Sequence, residues 1–296
     1  MITVKEAFKK FKTKLELTQR EQDDGSSRQK DVRSTMDSGF DIDHDFLTGS
    51  YARWTKTKPL KDVDIFCVLG SKDRHYRDKA PGVLLSDVCT VLEKKYGASN
   101  VRKQRRSVTV DFGVKATNDE TGERVMSFDV VPAFEKNGHY EIPDTSTHSG
   151  WTETDPTVHY DLAVEAQKAF ANEWKGLVRM VKKWNLHNGK PVSPSFLLEV
   201  MALELFVPPY GGDHRYELNA FFASAAERIS EEWKDPAGLG PPVSDAMDGS
   251  ACEAAKRALR AAADEAARAI QLEKSGKTGE ALQAWRKIFG PLFPVS

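Results

Sequence analysis

Residues 62–69, DVDIFCVL, set two carboxylates into a run that is otherwise apolar and β-branched. Such a run reads as a β-strand. Alternate residues of a strand share a face, so Asp62 and Asp64 point the same way. Val63, Ile65 and Phe66 anchor the strand in the core. Two carboxylates held side by side repel, and a fold tolerates them readily when a cation or a proton sits between them. A chain built on this strand therefore needs a sheet around it and a use for the acids, and metal ligation meets the second demand.

SVTVDFGVK (107–115) and RVMSFDVVPAF (124–134) also read as strands, and the polar ATNDETGE (116–123) between them as the turn of a hairpin. LLSDVCTVLEKKYG (84–97) has helical period and stops on Gly97. Phe8, Phe11 and Leu15 predict one long amphipathic helix over 3–35, with an interruption at Asp24-Gly25-Ser26. From Tyr160 the pattern is helical. One run carries Leu162, Ala166, Phe170, Leu177 and Val181 to a stop at Gly189, and a second covers 194–207. After the Pro/Gly-rich loop 233–250 come an alanine-rich helix from Ala251 and a last one from Thr278. The expectation is an α+β chain of two lobes, with residues 1–160 forming a catalytic lobe with its N-terminal helix and 161–296 a helical lobe. The cleft between lobes is the natural active site.

Composition removes several function classes. A net charge of −1 over 296 residues gives no electrostatic case for a permanent nucleic-acid coat. Cys67, Cys89 and Cys252 lie far apart, without CxxC spacing, so a zinc module is not expected. MITVKEAFKKFK lacks the apolar run of a signal peptide, and no stretch approaches the roughly 20 apolar residues of a membrane helix. The expectation is a reduced, cytoplasmic enzyme with no membrane contact.

Asp129 stands alone among apolar residues in SFDVVPAF, where burial is costly without a partner. With Asp62 and Asp64 it makes a set that can hold two Mg²⁺ about 4 Å apart, one activating a hydroxyl and one carrying a triphosphate; Mn²⁺ can substitute. Taken singly, the three read as a turn residue, a lysine partner and a strand-edge acid. Gly49-Ser50, at the end of DFLTGS, supplies what they lack. A glycine at a helix start lets backbone N–H groups approach phosphate oxygens, and the serine hydroxyl adds a donor.

GSYARWTKTKPLKDVDIF thus resembles the signature of the polymerase-β-like nucleotidyltransferase superfamily, GS followed by DxD. Within it the chain most resembles the bacterial cGAS/DncV-like nucleotidyltransferases, or CD-NTases, the oligonucleotide cyclases of CBASS antiphage defence. SFDVVPAF matches the family's third-aspartate strand, and WTETDPTVH (151–159) and WRKIFGPLFP (285–294) resemble family segments. The resemblance implies a polymerase-β-like mixed-sheet core with a C-terminal helical lobe. It implies catalytic and metal-ligating roles for Asp62, Asp64 and Asp129, with Gly49 and Ser50 at the donor phosphates.

LVRMVKKWN (177–185) followed by PVSPSFLLEV (191–200) is also similar to the oligoadenylate synthetases. That similarity implies Lys182, with Arg179 one turn before it, for the triphosphate, and Phe196, beside Ser195, for stacking on a base. Phenylalanine stands where tyrosine is common, which removes a hydroxyl and keeps the π face. The plainer reading has Lys182 and Lys183 solvated and Phe196 in the core. The basic run Arg102–Arg106 reads as a solvated face before a nucleic-acid activator site, and His159 as a packing or capping residue. The implied activity joins nucleoside triphosphates, ATP among them, into a cyclic di- or trinucleotide, with a CBASS regulatory protein as partner. An RNA-tailing nucleotidyltransferase and a catalytically silent nucleotide sensor are the rival readings.

Overall fold

The computed structural model describes residues 2–115 and 124–296. In chain order the elements are α1 (Val4–Leu15), α2 (Gln19–Gly39), β1 (Ile42–Thr48), the single turn α3 (Gly49–Ala52), β2 (Asp62–Leu69), α4 (Pro81–Tyr96), β3 (Val101–Lys103), β4 (Val108–Lys115) and β5 (Arg124–Lys136). There follow β6 (His139–Pro143), β7 (Trp151–Thr154), α5 (Pro156–Ala169), α6 (Trp174–His187), α7 (Ser195–Leu205), α8 (His214–Arg228), α9 (Gly249–Lys274) and α10 (Thr278–Phe289). They form two compact units: Leu17–Tyr160, and Met1–Glu16 together with Asp161–Ser296.

The Leu17–Tyr160 unit is built on a sheet of order β1-β2-β5-β4-β3, with β6 paired to β5 and β7 to β6. β2 and β5 run parallel, whereas β1–β2 and β4–β5 are antiparallel. The turn expected over 116–123 lies outside the described residues; the strands on either side of it pair Val114 with Val125. Strand alternation divides the sheet into two faces. Val63, Ile65, Cys67 and Leu69 of β2 pack with Phe128 and Val130 of β5 and Val108 and Val110 of β4. Val32 and Met36 of α2, and Leu84, Leu85, Val88 and Leu92 of α4, cover that face. The opposite face carries Phe66, Val68 and Ala133 in a small cluster with Ile142, and the acids lie on it as well.

The first helical pattern is broken, though not where expected. α1 ends at Leu15 and α2 begins at Gln19, because Thr18 opens a capping box with Glu21 just as Thr3 does with Glu6. Gly25 instead lies buried inside α2, where a Cβ would come within 3.0 Å of Leu60 Cδ2. That close approach, and not a helix break, is its use. The run from Tyr160 to Gly189 is likewise two helices. Ala171 and Asn172 take φ of 50° and 63° between α5 and α6, conformations no helix contains.

The helical unit closes over a core of Trp174, Trp184, Trp233 and Trp285. Sequence proximity predicts residues 1–16 in the mixed lobe, but they do not join it; α1 packs here. Phe8 meets Trp285 and Phe293 at ring-centroid distances of 4.9 and 5.1 Å, and Phe11 meets Phe289 at 5.0 Å. The two Phe8 pairs are edge-to-face, a favourable geometry for aromatic rings, and Phe8 and Phe11 give α1 its apolar stripe. Among the described residues no helix is long and apolar enough to cross a membrane.

Candidate active site

The register of the sheet puts the acids in order. Thr48 of β1 faces Asp64 of β2, Asp64 faces Asp129 of β5, and Asp129 faces Thr109 of β4. Asp62 faces Ser127 one step away. Three carboxylates expected from sequence alone therefore share one sheet face, two of them directly opposite each other on parallel strands.

Each carboxylate has its own neighbour. Asp62 Oδ2 lies 2.9 Å from Lys56 Nζ, and its Oδ1 accepts from the Ser127 hydroxyl at 3.1 Å. Asp129 Oδ1 accepts from Thr109 Oγ1 at 2.5 Å, and Gln104 Nε2 stands 3.4 Å from the same oxygen while also donating to Thr109. Asp64 is folded against Gly49: a Cβ at position 49 would fall 1.7 Å from Asp64 Oδ2. Gly49 also holds φ +67°, a left-handed conformation that glycine adopts without a steric penalty. Thr55 and Lys56 both return their backbone N–H groups to the Ser50 carbonyl, at 3.0 and 3.1 Å, which closes the loop beside the acids.

Burial and mutual repulsion show in the protonation equilibria. Burial first, then the Asp129 charge, push Asp64 up to about 6, against Lys56 and Arg53. Burial and the Asp62 charge also raise Asp129, although the Thr109 hydrogen bond pulls the other way. Burial acts upward on Asp62 too, but there the Lys56 ammonium and the Ser127 hydroxyl outweigh it and the carboxyl ends below its ordinary value.

Among the described residues no three His, Cys, Asp or Glu side chains converge as a ready-made ligand cluster. The three aspartates share a face while turned to Lys56, Gly49 and Thr109. Their chemistry nonetheless fits a hard divalent cation: all donors are carboxylate oxygens, on rigid strands, and two of the acids are destabilised as anions by burial and by the charge of a neighbouring acid.

The remaining candidates lie in the helical unit. Lys182 is buried on α6 with Nζ 2.6 Å from Glu199 Oε1 of α7. Arg179, one turn earlier, is buried with its guanidinium 2.8 Å from Glu16 Oε1, and burial lowers its pKa against the pull of Glu16 and Glu173. Lys182 and Lys183 are both buried, and so are not the solvated cations of the plainer reading. Ser195 is exposed at the first turn of α7, and the next residue, Phe196, is half-buried against the helical core. His159 lies on α5.

The basic run before β4 is largely committed to the fold. Arg105 Nε and Arg106 Nε lie 2.6 and 2.7 Å from the two oxygens of the fully buried Asp144, and Lys103 Nζ donates to Ser86 Oγ at 2.9 Å. Lys56, Thr109, Gln104 and Ser127 were not singled out from the sequence. Only the polar Thr109 between buried Val108 and Val110 carried a local signal, as a residue bound to face the acids.

Residues 1–166 match the model of the Second Messenger Oligonucleotide or Dinucleotide Synthetase domain, more than half of the chain. The chain belongs to this family. As a synthetase of this kind it is a nucleotidyltransferase of the CD-NTase group. It is 29% identical over 271 residues to a probable cyclic nucleotide synthase of Bacillus cereus strain VD146, covering 83% of this chain and 81% of the relative. It is 27% identical over 271 residues to the cyclic AMP-AMP-AMP synthase of an Acinetobacter species, covering 86% and 73%. In fold the synthetase is similar to Escherichia coli MS115-1 CdnC solved with ATP, with a TM-score of 0.73, 19% identity and 99% of each chain covered. CdnC has also been solved in a complex with HORMA-deltaN, to which the similarity is a TM-score of 0.71 at 20% identity over 98% of each chain. The expected fold class, a mixed sheet with helices followed by a helical region, is thereby shown over nearly the full length.

Proposed function

We propose that this synthetase joins nucleoside triphosphates, ATP among them, into a cyclic di- or trinucleotide that acts as a second messenger in antiphage signalling in the cytoplasm. One observation carries the reading: Asp62, Asp64 and Asp129 share a sheet face, with Asp64 against the glycine of the Gly49-Ser50 loop. Ser50 and the adjoining backbone grip the donor's phosphates, with Lys182 and Arg179 assisting once they exchange Glu199 and Glu16 for phosphate oxygens. Phe196, with Ser195 beside it, offers the donor base a π face.

Asp62, Asp64 and Asp129 would hold two Mg²⁺, or Mn²⁺, which supply Lewis-acid stabilisation of the charge on the attacking and leaving oxygens. The acceptor ribose hydroxyl attacks the donor's α-phosphorus, the bond from that phosphorus to the bridging oxygen breaks, and pyrophosphate leaves. The hydroxyl proton passes to Asp129, whose raised pKa suits it to accept. Repetition on the product's own free hydroxyl closes the ring. A complex like that of CdnC with HORMA-deltaN supports a regulatory protein partner for this chain as well.

The test is incubation of the purified protein, alone and with its candidate regulatory partner, with mixed triphosphates and Mg²⁺, read by mass spectrometry. A phosphatase-resistant cyclic product is expected, and Asp62→Ala and Asp64→Ala should each lower its rate by at least about 10³-fold. Unchanged product from either variant, or an extended linear RNA, would refute the assignment.

A further inference from the structure

Lys56 stands where the loop meets the acids. Its backbone N–H is tied to the Ser50 carbonyl at 3.1 Å, and its ammonium reaches Asp62 Oδ2 at 2.9 Å. The lysine side chain is only 14% exposed, whereas the carboxylate it meets is 54% exposed. A pair whose carboxylate is this open to solvent contributes little to stability, and ordering a lysine side chain costs rotamer entropy. The position gains a purpose from its surroundings: the Lys56 charge also acts on Asp64 and Asp129. Three acids on one face have in Lys56 a partial counter-charge built into the chain.

We propose that Lys56 is a resident counter-ion, displaced from Asp62 when a divalent cation binds, and that its freed ammonium then takes a phosphate oxygen of the donor beside Ser50. The inference rests on the metal-dependent reading of the acids given above. A doubly charged ion outcompetes an ammonium for a carboxylate on the same face. The released side chain does not drift away, because its backbone stays pinned to Ser50, and its flexible four-carbon stem swings about that root. A triphosphate arriving at the loop then meets the cation that had been holding the acids apart from one another's repulsion.

The measurement is Mn²⁺ binding by calorimetry to the full-length protein without nucleotide, alongside melting temperature and steady-state kinetics. Lys56→Met should bind Mn²⁺ about three- to tenfold more tightly than wild type, since the competing charge is gone. The same variant should raise KM for the donor triphosphate about tenfold, while Lys56→Arg stays near wild type in both respects. Should Lys56→Met not fold, Lys56→Gln, which keeps a polar head, carries the same two readouts. Unchanged Mn²⁺ affinity in the neutral variant, with wild type binding normally, overturns the role assigned to Lys56 and leaves the metal site standing. Mn²⁺ binding that is absent in wild type, or present there and unaffected by Asp62→Ala, overturns the metal reading itself, and this inference with it.

Discussion

Gly49 answers to two demands: a left-handed φ, and a side of the backbone occupied by the Asp64 carboxylate. Gly49→Ala should therefore displace the acid as well as strain the loop. Misplacing a catalytic group by an ångström costs on the order of 10²-fold, so a loss of turnover of at least that size is expected in single-turnover assays. Ser50→Ala removes one donor and leaves the backbone donors in place, so it should cost only about tenfold. Asp64 gives the site a pH signature. With the folded carboxyl at about 6 in the metal-free protein, Mg²⁺ binding should weaken as pH drops through that value and Asp64 takes up a proton. Stability runs the other way, because the folded value lies above the unfolded one, near 3.9. The contribution of this group to the melting temperature of the metal-free protein is full below pH about 4 and is lost as pH rises to about 6. Pre-incubation with Mg²⁺ should abolish that loss, and scanning calorimetry from pH 4 to 7.5 reads both effects. Lys56 was missed at this scale because KTKPLK offers several lysines, and only the folded loop shows which of them meets Asp62.

The strands were the most legible elements. Alternation in DVDIFCVL and SFDVVPAF foretold which side chains would be buried, and the register then brought Asp64 opposite Asp129. Helix boundaries were less legible where local signals gave way to packing. Gly25 looked like a breaker and is instead a point of close approach, while the break at Ala171-Asn172 fell inside a seamless helical pattern. The basic run between β3 and β4, read as a solvated face, is also different in kind, since Arg105 and Arg106 are bound to Asp144. These bonds, with the Ser146 donors, hold the Asp144 carboxyl well below the usual range despite burial, which acts upward. A depressed folded pKa means stability that is present above about pH 4 and lost as pH falls toward the folded value. Asp144→Asn should destabilise by about 2 kcal/mol at pH 7, with the deficit shrinking below pH 4. Urea titrations at pH 7 and pH 3.5 would show it, and an equal deficit at both would argue against the charged pairing.

At the scale of the whole chain, the helical unit takes its first helix from residues 1–16 and the rest from beyond Tyr160. A sequence reader assigns neighbours in sequence to the same unit, which is why the pairing of Phe8 and Phe11 with Trp285, Phe289 and Phe293 was out of reach. The cost of misassignment is measurable. A fragment of residues 17–160 should stay monodisperse, while one of residues 1–160 should bind hydrophobic dyes and self-associate, because α1 then presents two phenylalanines with no partner. Size-exclusion chromatography of the two fragments settles it; identical behaviour would mean that α1 is not committed to the helical unit. The same arrangement has a consequence for synthesis on the ribosome. α1 emerges long before α10, and twelve residues make a helix that is marginal by itself in water. The earliest-made segment of this unit must wait for one of the latest. A chain whose translation stops short of Trp285 can therefore carry every acid of the candidate site and still lack a finished helical unit, so that closing of that unit is timed by the synthesis of α10.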